Sequence, residues 1–357
     1  GPQLRSFPIQ DTPMKPHVRL RLGAPVALLV GVLAAGWSAA QAQSAGFLLI
    51  TAPVHARISW VRLPENGNFA GLRPETLLDE GLRHPQGICV DKKRRRLFVA
   101  DPDAQKIFAY QLSVVNGALV TDGRQSVVTS GVESRWVAVD GAGNIFFSDE
   151  PQNRILRVPA AGALRGDAKP EVVYSGDSVP EVNEPGAVAV DNLHVFWTNK
   201  HFGTEVGTLV RGSENPPQGT AASSSLAVLA KNSVKSYGVC IAMGNVFFTD
   251  AEKHLYGVKK HGGPVVEVSS VLDKPRGCAW DGDGTVFVAD RGLGRIYSLP
   301  SNMHILSQAD LTVAFDFDDA FGLAVLTGFA SRMFSTSPFI ALMSFFAVMF
   351  ANAAPRA

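Results

Sequence analysis

The stretch "GNVFFTDAEKHLYGV" at residues 244–258 occurs in altered form twice more, as "GNIFFSDEPQNRILRV" at 143–158 and "GTVFVADRGLGRIYSL" at 284–299. Each copy holds an aromatic-rich apolar run that closes on Asp, a short polar turn, and a second apolar run. Runs of this length bounded by turn residues read as two strands of a hairpin. Their recurrence marks a chain built from one repeated supersecondary unit.

Working outward from the hairpin, the unit gains two more strands. A Gly-containing strand precedes it: "PQGICVD" (85–91), "SRWVAVD" (134–140), "EPGAVAVD" (184–191), "SYGVCIA" (236–242) and "PRGCAWD" (275–281). A short apolar strand follows it, such as "SVVTS" (126–130), "EVVYS" (171–175), "LAVLA" (226–230) or "VVEVS" (265–269). The residues closing the second strand, Asp101, Asp149, Asn199, Asp250 and Asp290, are spaced by 48, 50, 51 and 40 residues. Four short strands per period of that size specify a β-propeller blade.

Five units are complete, and the chain ends supply a sixth. "FLLITAPVHARISWV" (47–61) and "ETLLD" (75–79) give strands two to four, with Thr51 aligned to Asp101. "AFGLAVL" (320–326) is a spare first strand. The expected fold is all-β: a six-bladed propeller of four-stranded antiparallel blades. Its ring is closed by N- and C-terminal strands, and a hydrophobic helix stands at each end. The large aromatics are expected between blades, and the closing Asp residues in turns, accepting backbone N–H groups. "GSENPPQGTAASSS" (212–225) is expected to be a polar surface insert.

The domain is expected over residues 46–327. From Met14, a basic start, an apolar run and Ala40-Gln41-Ala42 have the layout of a secretory signal peptide over 14–42, with an uncleaved anchor as the other reading. Residues 1–13 read as an upstream extension or artefact. The segment 328–357 contains an uncharged run, 338–354, with three readings open: a membrane span, a cleaved anchor signal, or a helix packed on the domain.

Hydrophobic residues make up 46% and charged residues 18% of the chain, and the formal net charge is +1. That balance supplies a large core and gives no reason to expect nucleic acid. The run Lys92–Arg96 reads as a solvated hairpin turn. Cys89, Cys240 and Cys278 are odd in number, lack metal spacing and lie in apolar strands, so all three are expected to be small buried hydrophobes.

The phrases "IFFSD", "VFWTN" and "VFFTD" resemble the YWTD repeats of lipoprotein-receptor propellers. "LFVAD" and "VFVAD", each after a P-x-G strand, resemble NHL repeats. Both repeats belong to the broad TolB-like class of six-bladed propellers. The resemblance implies that the loops between strands four and one, and between strands two and three, surround one mouth of the central channel. It places Gln86, Arg135, Glu184 with Pro185, Tyr237, Arg276 and Phe321 there, as a ligand-binding set for a carboxylate or phosphate. The arginines pairing with Glu133, Glu184 or Asp319 is the plainer reading of the same residues.

The implied function is a secreted or membrane-anchored platform for a protein or peptide partner, acidic where it meets the arginines. No catalytic residue, metal or cofactor is assigned, and the domain is expected to be a monomer. The alternative is a gluconolactonase-like hydrolase with Ca2+ on the axis. The chain lacks that family's E-G-P phrase, and Arg276 stands where its P-N-G motif has Asn. A peptide-amidating lyase would need axial histidines, and only His84 lies near a mouth position. No G-x-S-x-G, H-E-x-x-H or phosphate loop occurs.

Overall fold

A computed structural model describes residues 44–330, except 70, 202–206, 218–222, 232–233 and 302. The helices expected at the two ends, the signal peptide and the C-terminal run lie outside the described residues.

Six antiparallel sheets follow one another along the chain. The first holds β1 (Ser44–Ala52), β2 (Arg57–Leu63) and β3 (Glu75–Leu78). The second holds β4 (Ile88–Asp91), β5 (Arg96–Asp101), β6 (Lys106–Val115), β7 (Ala118–Thr121) and β8 (Ser126–Ser130). Blade three is β9 (Val137–Val139), β10 (Ile145–Asp149), β11 (Arg154–Val158), a short helix α1 (Ala160–Arg165) and β12 (Glu171–Ser175). Blade four is β13 (Pro185–Val190), β14 (His194–Asn199), β15 (Thr208–Ser213) and β16 (Ala227–Lys231). Blade five is β17 (Ser236–Ala242), β18 (Asn245–Asp250), β19 (Leu255–Lys259) and β20 (Val266–Ser269). Blade six is β21 (Pro275–Trp280), β22 (Thr285–Asp290), β23 (Arg295–Pro300) and β24 (Thr312–Asp316).

The last strand, β25 (Leu323–Ala330), completes blade one as its innermost strand, in the order β25-β1-β2-β3. Its register pairs Leu323 with Ile50 and Leu326 with Phe47. The spare strand and the missing strand read from the sequence are therefore one partnership. The innermost strands β4, β9, β13, β17, β21 and β25 each touch the next, and β25 touches β4, which closes the ring. Blade two carries one strand more than expected, because β6 runs on to form an extra hairpin with β7.

The paired aromatics of the repeat divide between neighbours, since successive strand residues face opposite sides. Phe247 packs toward blade six and Phe248 toward blade four. Phe146 packs toward blade four and Phe147 toward blade two. The apolar core is thus six interblade layers, each built from two sheets. Full burial of each such ring contributes about 1.5–3 kcal/mol.

A hydrogen bond at the inner wall stitches each blade to the next. Thr51 Oγ1 donates to Gln86 O (2.6 Å), Ser148 Oγ to Gly186 O (2.6 Å), Thr198 Oγ1 to Tyr237 O (2.6 Å) and Thr249 Oγ1 to Arg276 O (2.8 Å). Blades two and six have Ala100 and Ala289 at this position. There the backbone bridges directly, Gly87 N to Arg135 O (2.9 Å) and Gly277 N to Phe321 O (2.8 Å). Glycine is required by proximity: a Cβ on Gly238 would lie 2.1 Å from Arg276 O, and one on Gly87 would lie 2.6 Å from Trp136 Cα.

Thr51 does not align with Asp101. Its strand partner shows that Ala52 opposite Arg57 corresponds to Asp101 opposite Lys106, so Thr51 belongs to the stitching position one residue earlier. The cysteines also differ from expectation, because Cys240 and Cys278 form a disulfide across blades five and six, with Cα atoms 5.6 Å apart. Cys240 lies two residues after its strand's glycine and Cys278 one residue after. Alternation turns the first toward the next blade and the second toward the previous one. Cys89 shares the position of Cys240, but Val137 stands where its partner would be, within the same apolar layer. Burial raises the Cys89 thiol well above its usual pKa.

The closing Asp residues hold turns. Asp101 accepts from the N–H of Arg83, His84 and Ala104. Asp250 takes those of Glu252, Lys253 and His254, and Asp290 those of Asp273, Gly292 and Leu293. In blade one, where Ala52 has no carboxylate, Asp319 receives the turn N–H of Val54 instead. The Lys92–Arg96 run does form the turn between β4 and β5, pinned by Arg94 to Asp91 at 2.8 Å.

The polar insert is not wholly solvated. Glu214, at its start, is 4% exposed and accepts the Asn192 N–H at 3.0 Å. Burial, and then the charge of Asp140, push its pKa up to about 7.

Three measurements probe this architecture. Thr249→Val keeps the shape but leaves the buried Gly238 N–H and Arg276 carbonyl unpaired, and is expected to cost about 1–3 kcal/mol in urea unfolding. Val137→Cys is expected to form a second interblade bridge with Cys89, seen as loss of the single free thiol in a non-reducing titration. Glu214 has a folded pKa above its unfolded one, so its stabilisation is complete below about pH 4.5 and lost as pH rises through 7. The loss is on the order of 3 kcal/mol, and Glu214→Gln should flatten that part of the stability–pH curve.

Candidate functional site at the channel mouth

The innermost strands all begin on one face, here called upper, so the stitched carbonyls of Gln86, Arg135, Tyr237, Arg276 and Phe321 ring the channel there. Their backbones do the same work in five blades, and in blade four the Gly186 carbonyl takes the bond. Their side chains do not repeat, and they divide into a floor and a rim.

The floor is aromatic. Phe321 and Trp136 lie 5.2 Å apart between ring centroids, although they come from blades one and three. Both are nearly inaccessible and belong to the apolar cluster of blades four and five. Gln86 is also buried, and its Oε1 has no hydrogen-bond partner among the described residues.

The rim is charged. Arg135 pairs with Glu133 at 3.0 Å and with Glu150 at 3.2 Å, and Glu150 in turn binds Lys200. The Lys200 ammonium lies 5.4 Å from the centroid of the Tyr237 ring, and the Arg276 guanidinium 4.5 Å from the same ring. Arg291 is 2.8 Å from Asp319 and lies over Phe321 at 5.8 Å. Glu184 turns to His201 rather than to an arginine. Of the six residues named from the sequence, Tyr237 and Arg276 come into direct contact, Arg135 is committed to acids, and Phe321 and Gln86 lie beneath.

Arg276 differs from its neighbours. Its Nη1 donates to Pro275 O at 2.8 Å, and it forms no ion pair with a described residue. Burial lowers its pKa, and the nearby Arg291 adds to the effect. The charges of Asp290 and Asp273 reach it, but no described carboxylate is in ion-pair contact, so a partly desolvated guanidinium stacked on a ring presents its remaining donors to an incoming acceptor.

Glu150, Lys200, Arg291 and Trp136 were missed in the sequence. Three of them had a signal, because each directly follows the Asp or Asn that closes a second strand. That position is Pro53, Pro102 and Ala251 in the other blades. Among the described residues, no three His, Cys, Asp or Glu converge to hold a metal. A hollow of about 550 Å3 lies between blades five and six on the opposite face, lined by Met243, Trp280 and Met303. The Lys259 ammonium beside it is already held by Asn245 Oδ1 and by the Met303 and His304 carbonyls.

No family model matches the chain, and no curated protein matches it. Solved structures align with it at low identity. A structure of a nidogen/laminin complex aligns with a TM-score of 0.60 at 13% identity, covering 78% of this chain and 98% of that one. A streptogramin B lyase aligns at 0.45 and 13%, covering 65% and 68%. A catalytically inactive virginiamycin B lyase from Staphylococcus aureus with quinupristin aligns at 0.45 and 14%, covering 65% and 70%. The chain is a six-bladed β-propeller.

Proposed function

We propose that this propeller is an extracytoplasmic binding platform whose upper face takes a protein partner, with Arg276 as the anchor for an acidic group. The supporting observation is the half-buried guanidinium stacked on Tyr237 with no carboxylate of its own. An Asp or Glu side chain, or a C-terminal carboxylate, would add charge-assisted hydrogen bonds of about 1.5–3 kcal/mol each.

The surroundings fit a protein surface. Val54, Val271 and Leu293 are exposed on upper loops. They adjoin the rim, because Asp319 binds both Arg291 and the Val54 N–H, while Gly292 donates to Asp273 O. Apolar side chains around a charged anchor suit an interface with a desolvated centre.

The Cys240–Cys278 bridge supports an oxidising compartment, as the signal-peptide layout does. Among the described residues no helix is long and apolar enough to cross a membrane. We assign the repeat to the YWTD and NHL group and the domain to a monomer. The C-terminal segment is read as its attachment to a membrane.

The test uses the propeller as bait for cross-linked partners, with affinity then measured for the partner recovered. Arg276→Ala together with Arg135→Ala is expected to weaken binding at least about tenfold, and added salt to weaken the native complex. A partner held equally well by the double variant would overturn the assignment of the mouth.

A further inference from the structure

The strand order fixes where the chain enters and leaves the ring. β1 holds the second-strand place in blade one and starts at the lower face. β25 holds the innermost place and ends there, so Ser44 and Ala330 are paired neighbours. Residues 331–357 continue from that point, and 338–354 carry no charge.

The same face carries exposed apolar side chains at the tips of successive blades. They are Val115 (52%) on the β6–β7 hairpin, Leu164 (64%) on α1, Leu193 (71%) between β13 and β14, and Met243 (51%) between β17 and β18. Isolated apolar residues on a surface are ordinary. A large one stands on the lower side of each of four consecutive blades, and Ile305 (84%) adds another on the β23–β24 connection of blade six.

Exposed cations outnumber exposed acids on the lower connections of blades two and three. Lys92, Lys93 and Arg95 are exposed in the turn of blade two, and Arg165 is exposed at the end of α1. Arg96 Nη1 reaches Ala163 O at 3.5 Å, which brings the basic turn and α1 together. Asp91, the acid in that turn, is buried and engaged by Arg94. The lower connections of blades two and three also expose Asp122, Asp167 and Glu171, against the six cations Lys92, Lys93, Arg95, Arg124, Arg165 and Lys169, while Asp283 and Asp310 are exposed on blade six and Glu65 and Glu75 on blade one.

From this placement we propose that the lower face, along blades two to five, docks on an anionic lipid surface. Leu164, Leu193 and Met243 enter the headgroup layer, and Lys92, Lys93 and Arg165 meet the acidic lipids. Apolar tips combined with basic residues are the chemistry of interfacial binding, and each cation near such a surface strengthens it about fivefold. The channel mouth then faces away from the membrane, open to a partner.

The experiment places an environment-sensitive fluorophore on the full chain at Leu193→Cys (lower) or Val271→Cys (upper). The unsubstituted chain gives the background from Cys89. Each is mixed with phosphatidylcholine vesicles enriched in phosphatidylserine and carrying nitroxide-labelled lipid. The probe at 193 is expected to be quenched and the probe at 271 to stay bright. Reversing Lys92 and Lys93 to Glu should weaken the quenching titration by more than about tenfold. Equal quenching at both positions, none at 193, or indifference to the lysine reversal would each overturn the proposal. Arg276 is intact throughout, so the result leaves the partner assignment of the mouth separately testable.

Discussion

The inner-wall hydrogen bond from one blade to the mouth carbonyl of the next is the constraint on which the rest of this structure depends. A ring of six sheets has no central layer to organise it, only six interfaces that must all close at once. The stitching bond sets how near each innermost strand comes to its neighbour, and that distance excludes side chains at Gly87, Gly238, Gly277 and Gly322. Where a threonine supplies the bond, as at Thr51, Thr198 and Thr249, it also accepts an N–H of its own blade and so relays between two backbones, while Ser148 donates to Gly186 O. Where alanine replaces it, the backbones bond directly. The "TD" and "AD" forms of the repeat are therefore two solutions to one geometric demand. The aromatic layers then fill the wedges that widen outward from it.

Much of this fold was legible because a repeat declares its own period. The "FF" pairs, the closing Asp and the spare strand at 320–326 could each be read without knowing any contact. The stitching position escaped notice because its residue type varies among Thr, Ser and Ala, and what is constant there is a bond and not a side chain. The same blindness shifted Thr51 by one residue. Cys240 and Cys278 are 38 residues apart in sequence, and only the alternation of facing sides across two repeats brings them together. Counting cysteines could not reveal that. Glu214 was read as solvated from the composition around it, yet the lower junction of blades three and four encloses it.

The mouth was legible in part for a related reason. Residues before each glycine are forced toward the axis by the strand, so their placement follows from the repeat. Their pairing does not, because it depends on which charged residue follows the closing Asp of a neighbouring blade. Glu150 claims Arg135 and Lys200, Asp319 claims Arg291, and Arg276 is left with Tyr237. A sequence shows that two arginines are present. It takes the ring to show which of them is already spent.

The closure of blade one also has a mechanical meaning. β1 rises from the lower face and β25 descends to it, so the two ends of the ring lie at the same end of one antiparallel pair. Tension applied between the segments before Ser44 and after Ala330 would part that pair like a zipper, one register position at a time, rather than shearing all its hydrogen bonds together. A disulfide between blades five and six lies outside that path and cannot share the load. The ring resists heat and solvent through every interface, but a pull on its two ends is met by one bond after another.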